Sequence, residues 1–249
     1  MCLGMRKELA KSLRGSKKVL LLCHKNADPD AVCSAIVLEN YISKILKKET
    51  ACTAVEGISA ISKKVLESLG FEEHFRNIDD LNYYDTIILV DTGSLDQVKP
   101  LDEQLIKGAK KLIVVDHHHE NEKLASLSSL YIVDSSSPST AEIVYRILSR
   151  SIILKDAKMC QALLIGIIYD SRRFALASYN TLRTVLNLMK KGADYDKALA
   201  VLRSEATYPE KIAKLKACQR VKLYSIKNEW IVAFSHVGSY EASAARALI

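Results

Sequence analysis

Short apolar runs alternate with longer stretches of helical character along most of this chain. Five apolar runs predict strands, at residues 18–23, 51–55, 86–90, 111–116 and 130–134. Segments between and after them predict helices, at residues 31–47, 59–69, 101–108, 139–150, 156–170 and 179–191. Unbroken apolar strands that alternate with helices are typical of a parallel sheet covered on both faces. The pattern therefore predicts a doubly wound α/β domain over residues 1–192.

The pattern changes after Gly192. Residues 193–220 are rich in charge and predict a helical connector. Two β-rich runs follow, and the short polar turn at 227–229 between them predicts a β-hairpin. A run of small residues over 239–248 predicts a further helix. We expect residues 221–249 to begin a second, smaller α/β domain that is not completed within this sequence.

Charge and cysteine content bear on partners. The formal net charge is +7 at pH 7, so a polyanion such as a nucleic acid is one interpretation. Solvated helix faces, for example at Lys47–Lys48 and Lys190–Lys191, explain the same charge equally well. The six cysteines form no C-x-x-C pair, which argues against a zinc knuckle or a disulfide framework; they lie at positions 2, 23, 33, 52, 160 and 218.

The sequence carries no clear targeting or membrane signal. The basic segment 1–18 contains no apolar region before a cleavage site. No run approaches the roughly 18 apolar residues that a membrane span needs. Together with the scattered cysteines, these features predict a cytoplasmic protein with no membrane partner.

Aspartates and histidines gather where the predicted strands end. In open α/β sheets, ligands bind at the carboxyl ends of the parallel strands. Four segments bring metal-type side chains there, or to the end of the apolar stretch 163–169; they span residues 24–30, 91–94, 116–119 and 170–173. Taken singly, each aspartate has an ordinary explanation as a helix N-cap. The arrival of all four segments at one edge indicates a metal site.

Carboxylates combined with imidazoles suit Mn²⁺ or Mg²⁺, with Co²⁺ or Zn²⁺ as substitutes. Two such ions about 4 Å apart can clamp a phosphate and activate a water molecule. A single catalytic zinc would need only about three protein ligands, which leaves this many acids unexplained. The ligand set therefore favours a two-ion phosphoesterase centre.

The same four segments resemble, in order, the motifs of the DHH phosphoesterases. The motifs are H-x-x-x-D-x-D-A at His24–Ala31, the aspartate of ILVDTGS at Asp91, the triplet Asp116–His118, and G-I-x-x-D-S-x-x-F at Gly166–Phe174. The resemblance covers about residues 17–190. This family includes RecJ-like single-strand nucleases, oligoribonucleases, cyclic dinucleotide phosphodiesterases and manganese-dependent pyrophosphatases.

The resemblance implies a role for each matching residue. One Mn²⁺ would be held by His24, Asp28 and Asp91. The other would be held by Asp30, His117, Asp170 and the shared Asp91. The implied catalytic residues are Asp91, Asp116 and His118: Asp116 would orient a neighbouring imidazole, and His118 would face the scissile phosphate. His119 is extra to the triplet and receives no role.

Substrate contacts are less well defined by the sequence. Arg172 and Arg173 are candidates for phosphate contact because of their planar forks, although a surface ion pair would explain either. Ser34, in the turn of the first motif, is a third candidate. Cys33 stands where many family members carry glycine, which affects substrate fit more than metal binding. Residues 221–249 look like the first elements of the smaller substrate-gripping domain of the family, without its Gly-rich loop.

Three functions remain open from the sequence. The first is hydrolysis of single-stranded or very short RNA or DNA by metal-activated water. The second is hydrolysis of a small phosphorylated molecule: 3′-phosphoadenosine 5′-phosphate, a cyclic dinucleotide or, least favoured, pyrophosphate. The third is a non-catalytic scaffold, which the complete ligand set disfavours. Sugar preference, direction of cleavage and oligomeric state are not determined by the sequence.

Overall fold

The computed structural model describes residues 2–78, 80–102, 111–203, 208–227 and 229–248. The chain separates into two compact units, Met1–Leu202 and Arg203–Ile249. The boundary falls inside the predicted connector at 193–220, so the two halves of that segment belong to different units. The helix predicted at 101–108 falls largely outside the described residues.

The first unit is built on a parallel sheet of five strands in the order β2-β1-β3-β4-β5. The strands are β1 (Lys18–Cys23), β2 (Glu49–Ala54), β3 (Thr86–Val90), β4 (Leu112–Asp116) and β5 (Leu130–Val133). Leu21 in β1 pairs with Cys52 on one side and with Ile88 on the other. All five predicted strands are confirmed, with bounds that differ by at most two residues.

Helices connect the strands and cover the sheet. Those of the first unit are α1 (Cys2–Ser12), α2 (Pro29–Lys44), α3 (Ala60–Leu69), α4 (Glu122–Leu127), α5 (Thr140–Leu148), α6 (Ala157–Asp170), α7 (Tyr179–Lys190) and α8 (Tyr195–Leu202). The sequence did not predict α1, because only a narrow stripe enters the core, with Leu9 inside the helix and Leu13 just beyond its end. None of the described helices combines the length and the apolar character that crossing a bilayer requires.

Alternate side chains of the strands enter two cores, as a doubly wound sheet requires. Val19 and Leu21 of β1 face the larger core, which α1, α2, α5 and α6 cover. Leu20 and Leu22 face the smaller core on the opposite side, together with Leu124 of α4. Each buried leucine stabilises the fold by roughly 2 kcal/mol. The predicted α/β class and the coverage of both faces are therefore confirmed.

Two helix ends show capping interactions that suit the residues found there. Asp28 is the N-cap of α2, and its Oδ1 accepts hydrogen bonds from the backbone N–H groups of Asp30 (3.0 Å) and Ala31 (3.1 Å). Helix α3 ends at Gly70, which has φ +69°; glycine adopts this left-handed conformation without the steric cost of a Cβ. The cap at Asp28 also sets the position of that carboxylate at the edge of the sheet.

The second unit contains α9 (Tyr208–Gln219), β6 (Lys222–Ile226), β7 (Trp230–Phe234) and α10 (Glu241–Arg246). Strands β6 and β7 pair antiparallel, with Tyr224 opposite Val232. The predicted hairpin is confirmed. Helices α9 and α10 pack against each other, and small side chains such as Ala217 and Ala244 are buried in this unit.

Candidate metal centre

The candidate site lies where the strand order of the sheet reverses. From β1 the chain moves to β2 on one side and later returns to β3 on the other, and such a reversal leaves a crevice at the carboxyl ends of the strands. His24 follows β1, Asp91 follows β3, and Asp116 ends β4, whereas Asp170 ends α6. The four predicted segments therefore come from three strands and one helix.

The first group of potential ligands consists of His24, Asp28 and Asp91, whose ligand atoms lie within 4.8 Å of one another. The Nε2 atom of His24 is 4.0 Å from Oδ1 of Asp28 and 3.7 Å from Oδ2 of Asp91. The Nδ1 atom of His24 lies 2.8 Å from the carbonyl oxygen of Lys25. Donation from Nδ1 to that carbonyl leaves the Nε2 lone pair available to a metal ion.

The second group consists of Asp30, His117 and Asp170, again with ligand atoms within 4.8 Å of one another. The Nε2 atom of His117 lies 2.9 Å from Oδ2 of Asp170 and 3.5 Å from Oδ1 of Asp91. Its Nδ1 atom lies 3.3 Å from the carbonyl oxygen of Ser137. Asp91 is thus close to both groups, as a carboxylate shared between two ions would be.

Asp91 is held firmly in this central position. Its φ is +57°, a left-handed conformation that costs on the order of 1 kcal/mol for a residue with a Cβ. The backbone N–H of Asp91 donates to the carbonyl of Val115 (3.0 Å). The hydroxyl of Thr140 donates to Oδ1 of Asp91 (2.8 Å), and the side chain of Asp91 is only 2% exposed. Such strain clusters at functional sites.

Asp30 is held by the first turn of α5. The N–H groups of Thr140 (2.7 Å) and Ala141 (3.0 Å) donate to its two carboxylate oxygens, and a helix N-terminus stabilises negative charge. On α6, a Cβ at Gly166 would lie 2.7 Å from Oδ1 of Asp30, so glycine leaves room for the carboxylate. Thr140 contacts both Asp30 and Asp91, although the sequence did not single it out.

Asp116 organises the histidine triplet. Its Oδ1 accepts hydrogen bonds from the backbone N–H of His117 (2.8 Å) and from Nδ1 of His118 (2.7 Å). Asp91, His117 and His118 form a third geometric group, but the bond to Asp116 already occupies Nδ1 of His118. Gly93 packs tightly on His118, because a Cβ at that glycine would lie 3.0 Å from the Cβ of His118.

The crowding of acids shifts the protonation of the site. Burial, and then the charge of Asp28, raises the pKa of Asp91 to about 7, with His117 opposing the shift. Burial and the neighbouring carboxylates raise the pKa of Asp30 well above its ordinary value. Burial alone would lower the pKa of His117, but Asp170 and Asp91 raise it to about 9. Without a cation, the acids at this site therefore retain protons that a divalent ion would displace.

The donor set fits divalent cations. The buried Nε2 atom of His117 has no aligned hydrogen-bond partner within the described part of the chain, despite its short distance to Asp170. The nearest group to this nitrogen is the carboxylate of Asp170, 2.9 Å away, and a metal ion that displaces the proton of His117 would lie between the two. The remaining donors are carboxylate oxygens and one further imidazole, which are the ligands that Mn²⁺ and Mg²⁺ accept.

The three predicted substrate contacts have different positions. Ser34 lies inside α2 with no exposed surface, so the structure does not place its hydroxyl on a surface open to a substrate, and its role as a substrate contact stays a prediction. The polar residue follows the motif in sequence, but the helix turns it into the core. Arg172 lines a cleft that also includes His117 and Asp170. Arg173 is exposed and is not part of that cleft.

The fold and this centre define the chain as a metal-dependent phosphoesterase. Residues 18–167 match the DHH family, N-terminal domain, and the chain belongs to the DHH family. It is 32% identical over 232 residues to the uncharacterized protein MJ0988 of Methanocaldococcus jannaschii, an alignment that covers 93% of this chain and 68% of that protein.

Two further proteins are similar to this chain. The cyclic-di-AMP phosphodiesterase GdpP of Geobacillus thermodenitrificans is 27% identical over 211 residues, which cover 80% of this chain and 32% of GdpP. The solved structure of an exopolyphosphatase-related protein from Bacteroides fragilis superposes with a TM-score of 0.76 at 15% identity. That match covers 89% of this chain and 66% of the Bacteroides protein, and it shows a shared fold.

Proposed function

We propose that this protein is a two-metal phosphodiesterase that uses Mn²⁺ to hydrolyse single-stranded or very short oligonucleotides. The observation that carries the proposal is the pair of ligand groups that meet at Asp91. His24, Asp28 and Asp91 would hold one ion. Asp30, His117, Asp170 and the shared Asp91 would hold the other. When bound, two ions in this arrangement polarise a phosphate and lower the pKa of a water molecule.

The chain contributes positioning and charge to the reaction. Hydrolysis adds the water oxygen to phosphorus and breaks the bond from phosphorus to a sugar oxygen, which then takes up a proton. The hydrogen bond that Nδ1 of His118 donates to Asp116 raises the pKa of His118, although burial opposes this. A protonated His118 would offset the negative charge that develops on the phosphate. Asp116 fixes the ring of His118 for this role.

Several observations support a nucleotide-type substrate. The net charge of +7 favours association with polyanions. The similarity to GdpP, a cyclic-di-AMP phosphodiesterase by name, favours a cyclic dinucleotide as the second candidate. A non-catalytic scaffold is disfavoured because the six potential ligands converge. Mg²⁺ or Co²⁺ could replace Mn²⁺, since both accept the same donors.

The second unit is proposed to belong to the substrate-gripping domain of the family. The alignment with the archaeal protein covers 93% of the chain, so it extends past the unit boundary at Leu202. The hairpin of β6 and β7 followed by α10 has the elements expected from the sequence. The activity of the whole protein on long or short substrates depends on this assignment.

The direct test is hydrolysis of labelled two- to seven-nucleotide RNA and DNA, with cyclic-di-AMP in parallel. We expect Mn²⁺-dependent release of mononucleotides that EDTA and Asp91→Ala both abolish. His119→Ala is the matched control, since His119 is exposed and outside both ligand groups, and it should retain activity. Cleavage of cyclic-di-AMP alone would select the second candidate. An active Asp91→Ala variant would refute the two-metal proposal.

A further inference from the structure

A cleft of about 450 Å³ opens beside the metal centre. We call it the Ser–Arg cleft, because the serine loop 135–137 forms one wall and Arg172 stands in its lining. His117 and Asp170 connect it to the second ligand group, and Pro138 and Leu176 add apolar surface. This volume is within the range of small-molecule sites. His117 and Asp170, at one end of the cleft, mark where a scissile phosphate would lie.

Hydrogen bonds and an ion pair hold the serine wall in place. The carboxylate of Asp134 accepts hydrogen bonds from the backbone N–H (3.0 Å) and the hydroxyl (2.5 Å) of Ser136. Nη2 of Arg146 lies 2.6 Å from Oδ2 of Asp134 and 2.5 Å from the hydroxyl of Ser137. Ser137 is also the residue whose carbonyl meets Nδ1 of His117. The loop is therefore fixed at both ends and presents the exposed Ser135 and Ser136 to the cleft.

The position of Arg172 depends on an unusual backbone turn after α6. Arg172, Arg173 and Phe174 have φ of +51°, +55° and +72°. Three consecutive left-handed residues with side chains cost on the order of 1 kcal/mol each. The buried Ser171 secures the turn, because its hydroxyl accepts from the N–H of Phe174 (3.1 Å) and its carbonyl from the N–H of Leu176 (3.0 Å).

This turn separates two arginines that are neighbours in the sequence. Arg172 lines the Ser–Arg cleft, whereas Arg173 does not. No ion pair involves Arg172 among the residues that the structure describes. Its guanidinium is thus available to an anion, and its planar fork matches the oxygens of a phosphate. Strain that persists at a site edge is commonly retained for function.

We propose that the Ser–Arg cleft binds the nucleotide unit next to the scissile phosphate, with Arg172 on the phosphate of that unit. Pro138 and Leu176, which is 56% exposed, supply the apolar surface on which its base packs. The cleft is larger than a single phosphate requires. It combines a cation, hydroxyls and apolar surface, which match the phosphate, the sugar and the base of a nucleotide. This subsite rests on the proposed function, since it places a second phosphate relative to the one held at the metal centre.

The test compares Arg172→Ala with Arg173→Ala, a matched control that removes the same charge one residue away. Initial rates are measured with Mn²⁺ on 5′-phosphorylated diadenylate (pApA), on unphosphorylated ApA and on bis(p-nitrophenyl) phosphate. We expect Arg172→Ala to raise KM for pApA about ten- to hundredfold, the loss typical of a hydrogen bond to a charged group. KM for the other two substrates and kcat for pApA should stay near wild type. Arg173→Ala should resemble wild type throughout.

Calorimetric titration with pApA in EDTA provides a readout without turnover. Arg172→Ala should bind at least about tenfold more weakly than wild type, with Arg172→Lys between them and Arg173→Ala unchanged. Equal losses in the two alanine variants, or an Arg172→Ala variant that binds pApA as wild type does, would overturn the subsite. If wild type hydrolyses none of the three substrates but Arg172→Ala still weakens pApA binding, only the proposed activity is refuted and the subsite stands.

Discussion

Two aspartates at the same edge of the sheet have opposite environments. Asp134 follows β5, and although partial burial favours its neutral form, hydrogen bonds from Ser136 and Arg146 lower its pKa to about 2. Asp91 follows β3, and burial among other acids raises its pKa to about 7. The guanidinium of Arg146 is the cation that pairs with Asp134. Within the described residues, neither lysine nor arginine pairs with Asp91, Asp28, Asp30 or Asp170.

These two environments distinguish a structural carboxylate from a candidate metal ligand at a strand end. Both residues occupy equivalent positions in the sequence, one residue after a parallel strand. The difference lies in the partner, which is a guanidinium in one case and two imidazoles with further acids in the other. A set of acids without an internal cation destabilises the metal-free fold and becomes favourable only with a bound ion.

The largest effect is expected for Asp91→Asn. Mn²⁺-dependent hydrolysis should fall by about 10³-fold or more, since in the proposed two-ion centre both ions would lose a ligand that is worth several kcal/mol. The pKa of Asp91 is higher in the folded state than its ordinary value, so its stabilising contribution is lost as pH rises through about 7. In EDTA at pH 8 the variant should therefore melt above wild type, and Mn²⁺ should raise only the wild-type Tm. A lower Tm of the variant in EDTA would contradict this account.

The affinity for Mn²⁺ should depend strongly on pH. The metal-free site holds protons on Asp91, with a pKa of about 7, and on His117, with a pKa of about 9. Each proton that the ion displaces changes the apparent Kd by about tenfold per pH unit below the pKa concerned. Binding should therefore tighten steeply from pH 6 to 7 and less steeply from 7 to 9. Electron paramagnetic resonance titration of free Mn²⁺ measures this; a flat profile would exclude Asp91 and His117 as ligands.

A smaller effect is expected at Thr140, which donates to both Asp91 and Asp30. Thr140→Val removes the hydroxyl and keeps the shape, and it should weaken Mn²⁺ binding about ten- to hundredfold, as the loss of a supporting hydrogen bond usually does. Thr140→Ser keeps the hydroxyl and should restore most of the affinity. If the valine variant loses Tm in EDTA while Mn²⁺ affinity is unchanged, Thr140 has only a structural role.

The smallest effect is expected for Asp134→Asn, the other half of the comparison. The pKa of Asp134 is depressed in the folded state, so its contribution is present above about pH 4 and is lost as pH falls towards 2. At pH 7 the variant should be about 1 kcal/mol less stable in urea unfolding, and the difference should vanish near pH 2. The control is Asp96→Asn, which breaks a fully exposed pair with Lys99 and should leave stability unchanged. If Asp134→Asn weakens Mn²⁺ binding as much as Thr140→Val does, Asp134 belongs to the metal site.

The sequence predicted the sheet well because the three central strands, β1, β3 and β4, are nearly unbroken apolar runs that are buried on both faces. It also predicted that these acids and histidines lie together at one edge, because a strand end is a fixed place in a parallel sheet. Helix α1 was missed because its apolar stripe is narrow. Thr140 was missed because a threonine at the start of a helix resembles an ordinary cap, although it follows a strand at the same edge.

Other features depend on backbone geometry that side-chain patterns do not reveal. Arg172 and Arg173 look equivalent in the sequence, and only the left-handed turn over 172–174 separates them. No glycine marks that turn, so turn chemistry gives no signal for it. Ser34 was expected to face a substrate because it follows the first motif, but α2 packs that face against the core. Side-chain direction on a helix follows its rotation, which sequence proximity to a motif does not fix.

Asp28 caps a helix and is also a candidate metal ligand, and the two roles together would couple local order to ligation. Its Oδ1 caps the first turn of α2, and the same carboxylate belongs to the first ligand group. An ion that draws on Asp28 therefore acts on the segment that also carries Asp30. Fraying of a helix end exposes its amides to solvent exchange, so the amide protons of Asp30 and Ala31 become a built-in gauge of occupancy. Metal binding at the centre should therefore change the rate of amide exchange at the start of α2.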